Sequence, residues 1–135
     1  MNRIMAIDYG ERRVGLAVTD PLQISANGLD TVDRSLLENF LASYFVDHNV
    51  ETVVLGYPTH ADGNPLTICK KIDDFIDYLN KTYPTLNVEK IDENFTSAEA
   101  MQKLIEAGVK QKKRRDKKLL DKVSAILILQ RYLNH

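Results

Sequence analysis

Three acidic residues, Asp8, Glu93 and Asp121, lie far apart in the sequence but in similar settings. Asp8 closes the apolar run RIMAID (3–8) on the strand parity of Ile4 and Ala6, so it continues an inward-facing row to the strand's carboxyl end. Glu93 follows NVEKID (87–92) on the parity of Ile91. Asp121 stands four residues before Ala125 and seven before Ile128, on one stripe of a long helical pattern. Ser124 and Ala125 are small, which lets that helix approach whatever lies beneath it. Each acid also has a plainer reading. Acids at strand ends form turns, and an acid in a helix's first turn complements its dipole. If the three converge they need a partner, because unpaired buried charge is too costly. Magnesium is a natural one, since it takes oxygen ligands and keeps part of its water shell. Two such ions can activate water and stabilise the leaving oxygen in phosphodiester cleavage.

The elements that would position these acids follow from the apolar pattern. Arg3 to Asp8, Arg13 to Thr19 and Ile24 to Val32 are three short strands joined by turns, an antiparallel meander. The second has apolar residues at both parities, as a strand covered on both faces requires. Its Gly15 marks a close approach or a bulge. Strands and helices then alternate. A helix is expected over Arg34 to Asp47, a strand over Thr52 to Leu55, a helix over Leu66 to Thr82 and a strand over Asn87 to Asp92. Thr96 with Glu99 reads as a capping box for a third helix, which stops at Gly108. Lys117 to Leu133 is a long final helix. Strands joined through helices are parallel neighbours. The expected fold is α/β, a five-stranded mixed sheet flanked by helices.

Composition narrows the class. The chain has 135 residues, which predicts one domain spanning 1–135. With 44% hydrophobic and 27% charged residues, disorder throughout is excluded. One cysteine, Cys69, rules out an internal disulfide and a cysteine-rich zinc site. No apolar run approaches the ~20 residues of a membrane span, and no secretory leader opens the sequence. The expected compartment is the cytoplasm, with no membrane partner. The net charge of −1 hides an asymmetry: residues 1–109 sum to −8 and residues 110–135 to +7. Seven basic residues fall between Lys110 and Lys118, a single anionic contact point or else a solvated loop. Of these, Lys112, Lys113, Arg114 and Arg115 are the candidate nucleic-acid contacts. Arg12 and Arg13 are candidate phosphate contacts beside Asp8, with the alternative that one faces solvent. Acids from distant segments beside a basic block point to a metal-dependent nuclease. His48, His60 and Cys69 have no partner at ligand spacing and read as packing or surface residues.

The string DYGERRVGLAVTD (8–20) resembles the opening signature of the YqgF family, also called RuvX. GYPTHADG (56–63), DENFTSAEA (92–100), the basic block and LDKVSAILILQRYL (120–133) agree with it in order and spacing. The resemblance covers essentially the whole chain. It implies a ribonuclease-H-like fold, with Asp8, Glu93 and Asp121 as catalytic acids binding magnesium or manganese. It also implies trimming of the 5′ end of pre-16S ribosomal RNA, with structured RNA and pre-ribosomal particles as partners. A Holliday junction in DNA is the alternative substrate, because fold does not fix substrate. Two positions depart from the family pattern. Asn94 stands where Arg is usual, and a neutral amide grips phosphate less well than a guanidinium. Tyr57 stands where Leu is common.

Two other classes compete. A sugar-kinase or actin-like ATPase begins with a similar turn but needs two such domains to enclose a nucleotide. A non-catalytic RNA-binding ribosome-assembly factor would use the basic block and be indifferent to loss of the acids.

Overall fold

The computed structural model describes residues 2–58, 65–93 and 96–134, with the side chains of Pro65, Leu66, Thr96 and Ser97 left aside. His60, Asn94 and His135, much of the GYPTHADG segment and the Thr96 cap lie outside the described residues and side chains. The elements are β1 (Arg3–Tyr9), β2 (Arg13–Thr19), β3 (Ala26–Asp33), α1 (Leu37–Asp47), β4 (Val50–Tyr57) and α2 (Pro65–Thr82). They continue with β5 (Asn87–Asp92), α3 (Thr96–Glu106), α4 (Gln111–Arg114) and α5 (Lys117–Leu133). One sheet runs in the order β3-β2-β1-β4-β5. β1, β2 and β3 are antiparallel neighbours, whereas β4 and β5 join parallel to β1. This is the mixed sheet expected from the sequence.

Both faces of the sheet are covered, which is why β2 is apolar at both parities. On one face Met5, Ile7, Leu16, Val53 and Leu55 pack against Leu37 and Leu41 of α1 and Ile72, Phe75 and Leu79 of α2. On the other, Ile4, Ala6, Ala17 and Val54 meet Ala125, Ile128 and Leu129 of α5. The second face is thinner and built of smaller residues, so α5 lies close to the strands.

Boundaries shift where a side chain takes over backbone donors. β3 begins at Ala26, not Ile24, because the Asp20 carboxylate accepts the N–H groups of Leu22, Ile24 and Ser25 and holds that stretch in a turn. The same bonds hold the Asp20 carboxyl below its ordinary pKa. The first helix opens with a 3-10 turn over Arg34–Leu36 before α1 proper. Gly108 ends the α3 segment with φ of 76°, as expected of a left-handed cap. The basic block contains the short helix α4 where a loop was the plainer expectation.

The pairing of β1 with β4 is irregular between Arg3 and Ile4. The Ile4 N–H there donates to buried Thr19 Oγ1 at 2.9 Å. Thr19→Val keeps the shape and deletes this acceptor. It is expected to destabilise the protein by about 1–3 kcal/mol, the cost of a buried unpaired N–H, measurable by urea unfolding. No change in the urea midpoint would show that the N–H has another acceptor.

Candidate active site

Asp8 is half-buried near the end of β1, on the face that carries Ile4 and Ala6 and is covered by α5. Its cross-strand neighbour on β2 is Gly15. A Cβ placed on Gly15 would stand 2.1 Å from the backbone oxygen of Asp121, so α5 rests directly on the strand there. Buried Ser124 and Ala125 continue that close contact. The tight packing sets Asp121 across from Asp8.

Glu93 follows β5, and its N–H donates to Tyr57 O at 3.2 Å, extending the β4–β5 ladder by one bond. Its side chain crosses over Gly56 of β4. A Cβ at Gly56 would lie 2.7 Å from Glu93 Cδ and 2.7 Å from Ile128 Cδ1. The bare backbone at Gly56 is thus a cradle for the Glu93 carboxylate. The two glycines are the features that let acids from β5 and α5 reach the acid on β1.

Electrostatics register this grouping. Burial pushes the Asp8 carboxyl above its usual range; a hydrogen bond with Glu93 lowers it in part, and the Asp121 charge raises it again. Asp121 has a different partner: Arg13 Nε donates to its Oδ2 at 2.9 Å. Among the described residues, no three His, Cys, Asp or Glu side chains are arranged as they stand to hold a metal ion. The donor chemistry nonetheless suits a hard divalent cation, since three carboxylates supply oxygen ligands from one face.

Of the sequence-predicted residues, the structure brings Asp8, Glu93 and Asp121 to one face and adds Arg13 to them. Arg13, a candidate phosphate contact beside Asp8, has its guanidinium on Asp121. Strand parity carried the signal, because Arg13 shares the α5 face with Gly15 and Ala17. Arg12 is exposed and borders an open groove with Tyr9, Arg34 and Lys71, which also carries Glu38 and Asp74. Lys112, Lys113 and Arg115 are exposed, while Arg114 donates to Val109 O at 3.1 Å. Lys113 and Lys118 border a shallow groove with Asp30 and Thr31 of β3. The Thr31 hydroxyl donates to Lys118 O at 2.6 Å, so the block is anchored near the start of α5.

Sequence reasoning missed Arg131. From α5 it donates to Asp92 O at 3.0 Å and pairs with Glu99 of α3, tying the end of β5, next to Glu93, to both helices. The other candidates have packing roles. His48 stacks on Tyr44. Cys69 Sγ donates to Pro58 O, and beside it the Tyr57 hydroxyl donates to Asp73. Hydrogen bonding to Cys69, then burial and Asp73, push the Tyr57 phenol up to about 12.

A five-stranded mixed sheet with acids gathered from the ends of β1 and β5 and from the covering helix defines the ribonuclease-H-like class. Solved structures agree on the fold. RuvC from T. thermophilus, in complex with a Holliday junction substrate, has a TM-score of 0.60 at 14% identity, covering 99% of this chain and 96% of that one. Fowlpox virus resolvase, in complex with its substrate Holliday junction DNA, has a TM-score of 0.58 at 14% identity, covering 98% and 97%. The sequence profile of the RuvX family, described as Holliday junction resolvase, matches residues 2–135, and the chain belongs to that family. It is 45% identical over 133 residues to a Bacteroides thetaiotaomicron protein named "Putative pre-16S rRNA nuclease", covering 98% of this chain and 96% of the relative. A relative of the same name from Amoebophilus asiaticus is 47% identical over 134 residues, covering 99% and 95%. The family makes this chain a nuclease, a hydrolase of nucleic-acid phosphodiester bonds. No described helix is long and apolar enough to cross a membrane.

Proposed function

We propose that this nuclease cleaves precursor 16S ribosomal RNA near its 5′ end, with Asp8, Glu93 and Asp121 holding magnesium or manganese. The observation that carries this reading is the joint placement of the three carboxylates on the α5 face, with Asp8 hydrogen-bonded to Glu93 and facing the charge of Asp121. Bound cations would supply an activated water and stabilise the leaving oxygen. The chain's own part is to hold three acids on rigid strand ends and a helix, and to keep them half-buried so that little bulk water competes. RNA is favoured over a DNA junction because the full-length relatives at 45% and 47% identity are named for pre-16S rRNA, whereas the junction-bound structures share only fold. Such a substrate implies pre-ribosomal particles as its setting and the cytoplasm as its compartment.

The test is incubation of the purified chain with labelled pre-16S leader RNA, unrelated structured RNA and a four-way DNA junction, with magnesium, manganese or chelator. Metal-dependent cleavage of the leader RNA is expected. Cleavage of the junction alone would overturn the RNA assignment. Binding without cleavage, unaffected by loss of the acids, would favour a non-catalytic assembly factor.

The basic block supplies the grip in this reading. Contacts to phosphate position a strand but carry little sequence information. Neutralising Lys112, Lys113, Arg114 and Arg115 together is expected to weaken binding about equally for different sequences. The log–log salt slope should fall by roughly 0.7 to 0.9 for each phosphate that the block no longer neutralises, while turnover at saturating substrate survives. An unchanged slope in titrations at several salt concentrations would move the nucleic-acid path elsewhere.

A further inference from the structure

Arg13 is the first residue of β2, and 108 positions separate it from Asp121 in sequence. Its guanidinium meets the Asp121 carboxylate through Nε, at 2.9 Å from Oδ2. The side chains of Arg13 and Asp121 are 29% and 26% exposed, so the pair lies at the mouth of the site, within reach of water and ions. Asp8 and Glu93 share a hydrogen bond. Arg13 thus brings a positive charge directly onto one carboxylate of this acidic cluster, that of Asp121.

From this arrangement we infer that Arg13 is a displaceable counter-cation that sets how tightly the site takes its divalent metal. The inference rests on the metal reading of the three carboxylates. Two physical effects point the same way. A cation that recruits Asp121 must share or replace the guanidinium on its carboxylate. A fixed positive charge a few ångströms from a divalent ion also repels it, even when one carboxylate oxygen stays available. Arg13 thus holds Asp121 in place and at the same time raises the metal concentration the site requires. It acts through Asp121, as a positioning residue, and takes no part in bond making. Arginine suits this role because its planar guanidinium binds a carboxylate directly, so a competing cation has to share or displace that contact.

A purely structural role makes the opposite prediction. If Arg13 only orients Asp121, removing it disorganises a ligand and weakens metal binding. The two are separated by manganese binding to the full chain, measured by water-proton relaxation and calorimetry without substrate, in wild type, Arg13→Gln, Arg13→Lys and Asp8→Asn. Arg13→Gln is expected to bind manganese roughly three- to tenfold more tightly, the size expected for removing one unit charge beside a divalent ion in a well-screened site. Arg13→Lys, which keeps the charge, should stay near wild type, and Asp8→Asn should lose the site. The gain in melting temperature on adding manganese should follow the same order. Arg13→Gln should start lower in chelator and gain more on adding manganese. Unchanged or weaker binding by Arg13→Gln, with binding still abolished in Asp8→Asn, would overturn this inference and leave the metal site standing. Binding unaffected by Asp8→Asn, or undetectable in every variant, would overturn the metal site and the inference with it.

Discussion

Gly15→Ala is expected to destabilise the protein by about 3 kcal/mol or more, the upper end of what overpacking costs. It should also impair cleavage beyond what that loss of stability explains. The added methyl would stand 2.1 Å from the Asp121 backbone oxygen and 2.6 Å from its carbonyl carbon. The neighbour is helix backbone and cannot swing aside as a flexible side chain would. Relief requires α5 to lift from β2, against the packing of buried Ser124, Ala125 and Ile128. Lifting the helix carries Asp121 away from Asp8. Urea unfolding measures the first effect, and single-turnover cleavage at a temperature where the variant is folded measures the second. A variant within about 1 kcal/mol of wild type and fully active would show that the close approach is not needed.

The second large effect concerns the acids themselves. Asp8→Asn, Glu93→Gln and Asp121→Asn are each expected to reduce turnover by about a thousandfold or more while the fold persists, as for groups that act as a unit. The triple variant should be little worse than any single one, for the same reason. Stability should move the other way for Asp8→Asn. Burial and the Asp121 charge both penalise the ionised Asp8 carboxylate, so a neutral amide relieves repulsion, and its melting temperature in chelator should equal or exceed that of wild type. Near-wild-type turnover in any one variant would remove that residue from the site.

Much of this arrangement was legible from residue order because it depends on short-range periodicity. β2, β5 and α5 were expected at the bounds they have, since each is a strong apolar pattern closed by polar residues. Parity along β1 and β5 put Asp8 and Glu93 on the face of Ile4, Ala6 and Ile91, and helical spacing put Asp121 with Ala125 and Ile128; the apolar members of these rows do pack together, with Asp121 over Gly15 and Glu93 over Gly56. The start of β3 was not legible, because it depends on Asp20 drawing three N–H groups into a turn. A side chain competing with a strand for backbone donors leaves no mark in the apolar pattern.

The sequence by itself determined the fold class, the candidate acids and the basic segment, because composition, periodicity and motif order are properties of the chain alone. Tertiary structure decided which groups meet across long separations. It placed Arg13 on Asp121, rested Glu93 on the bare backbone of Gly56, and used Arg131 to tie α5 to the end of β5. These choices depend on how closely α5 settles on the sheet, a distance fixed by the absence of a Cβ at Gly15 and by small residues facing it on the helix. Packing at that range is decided by the summed fit of both surfaces, which only the folded chain brings together.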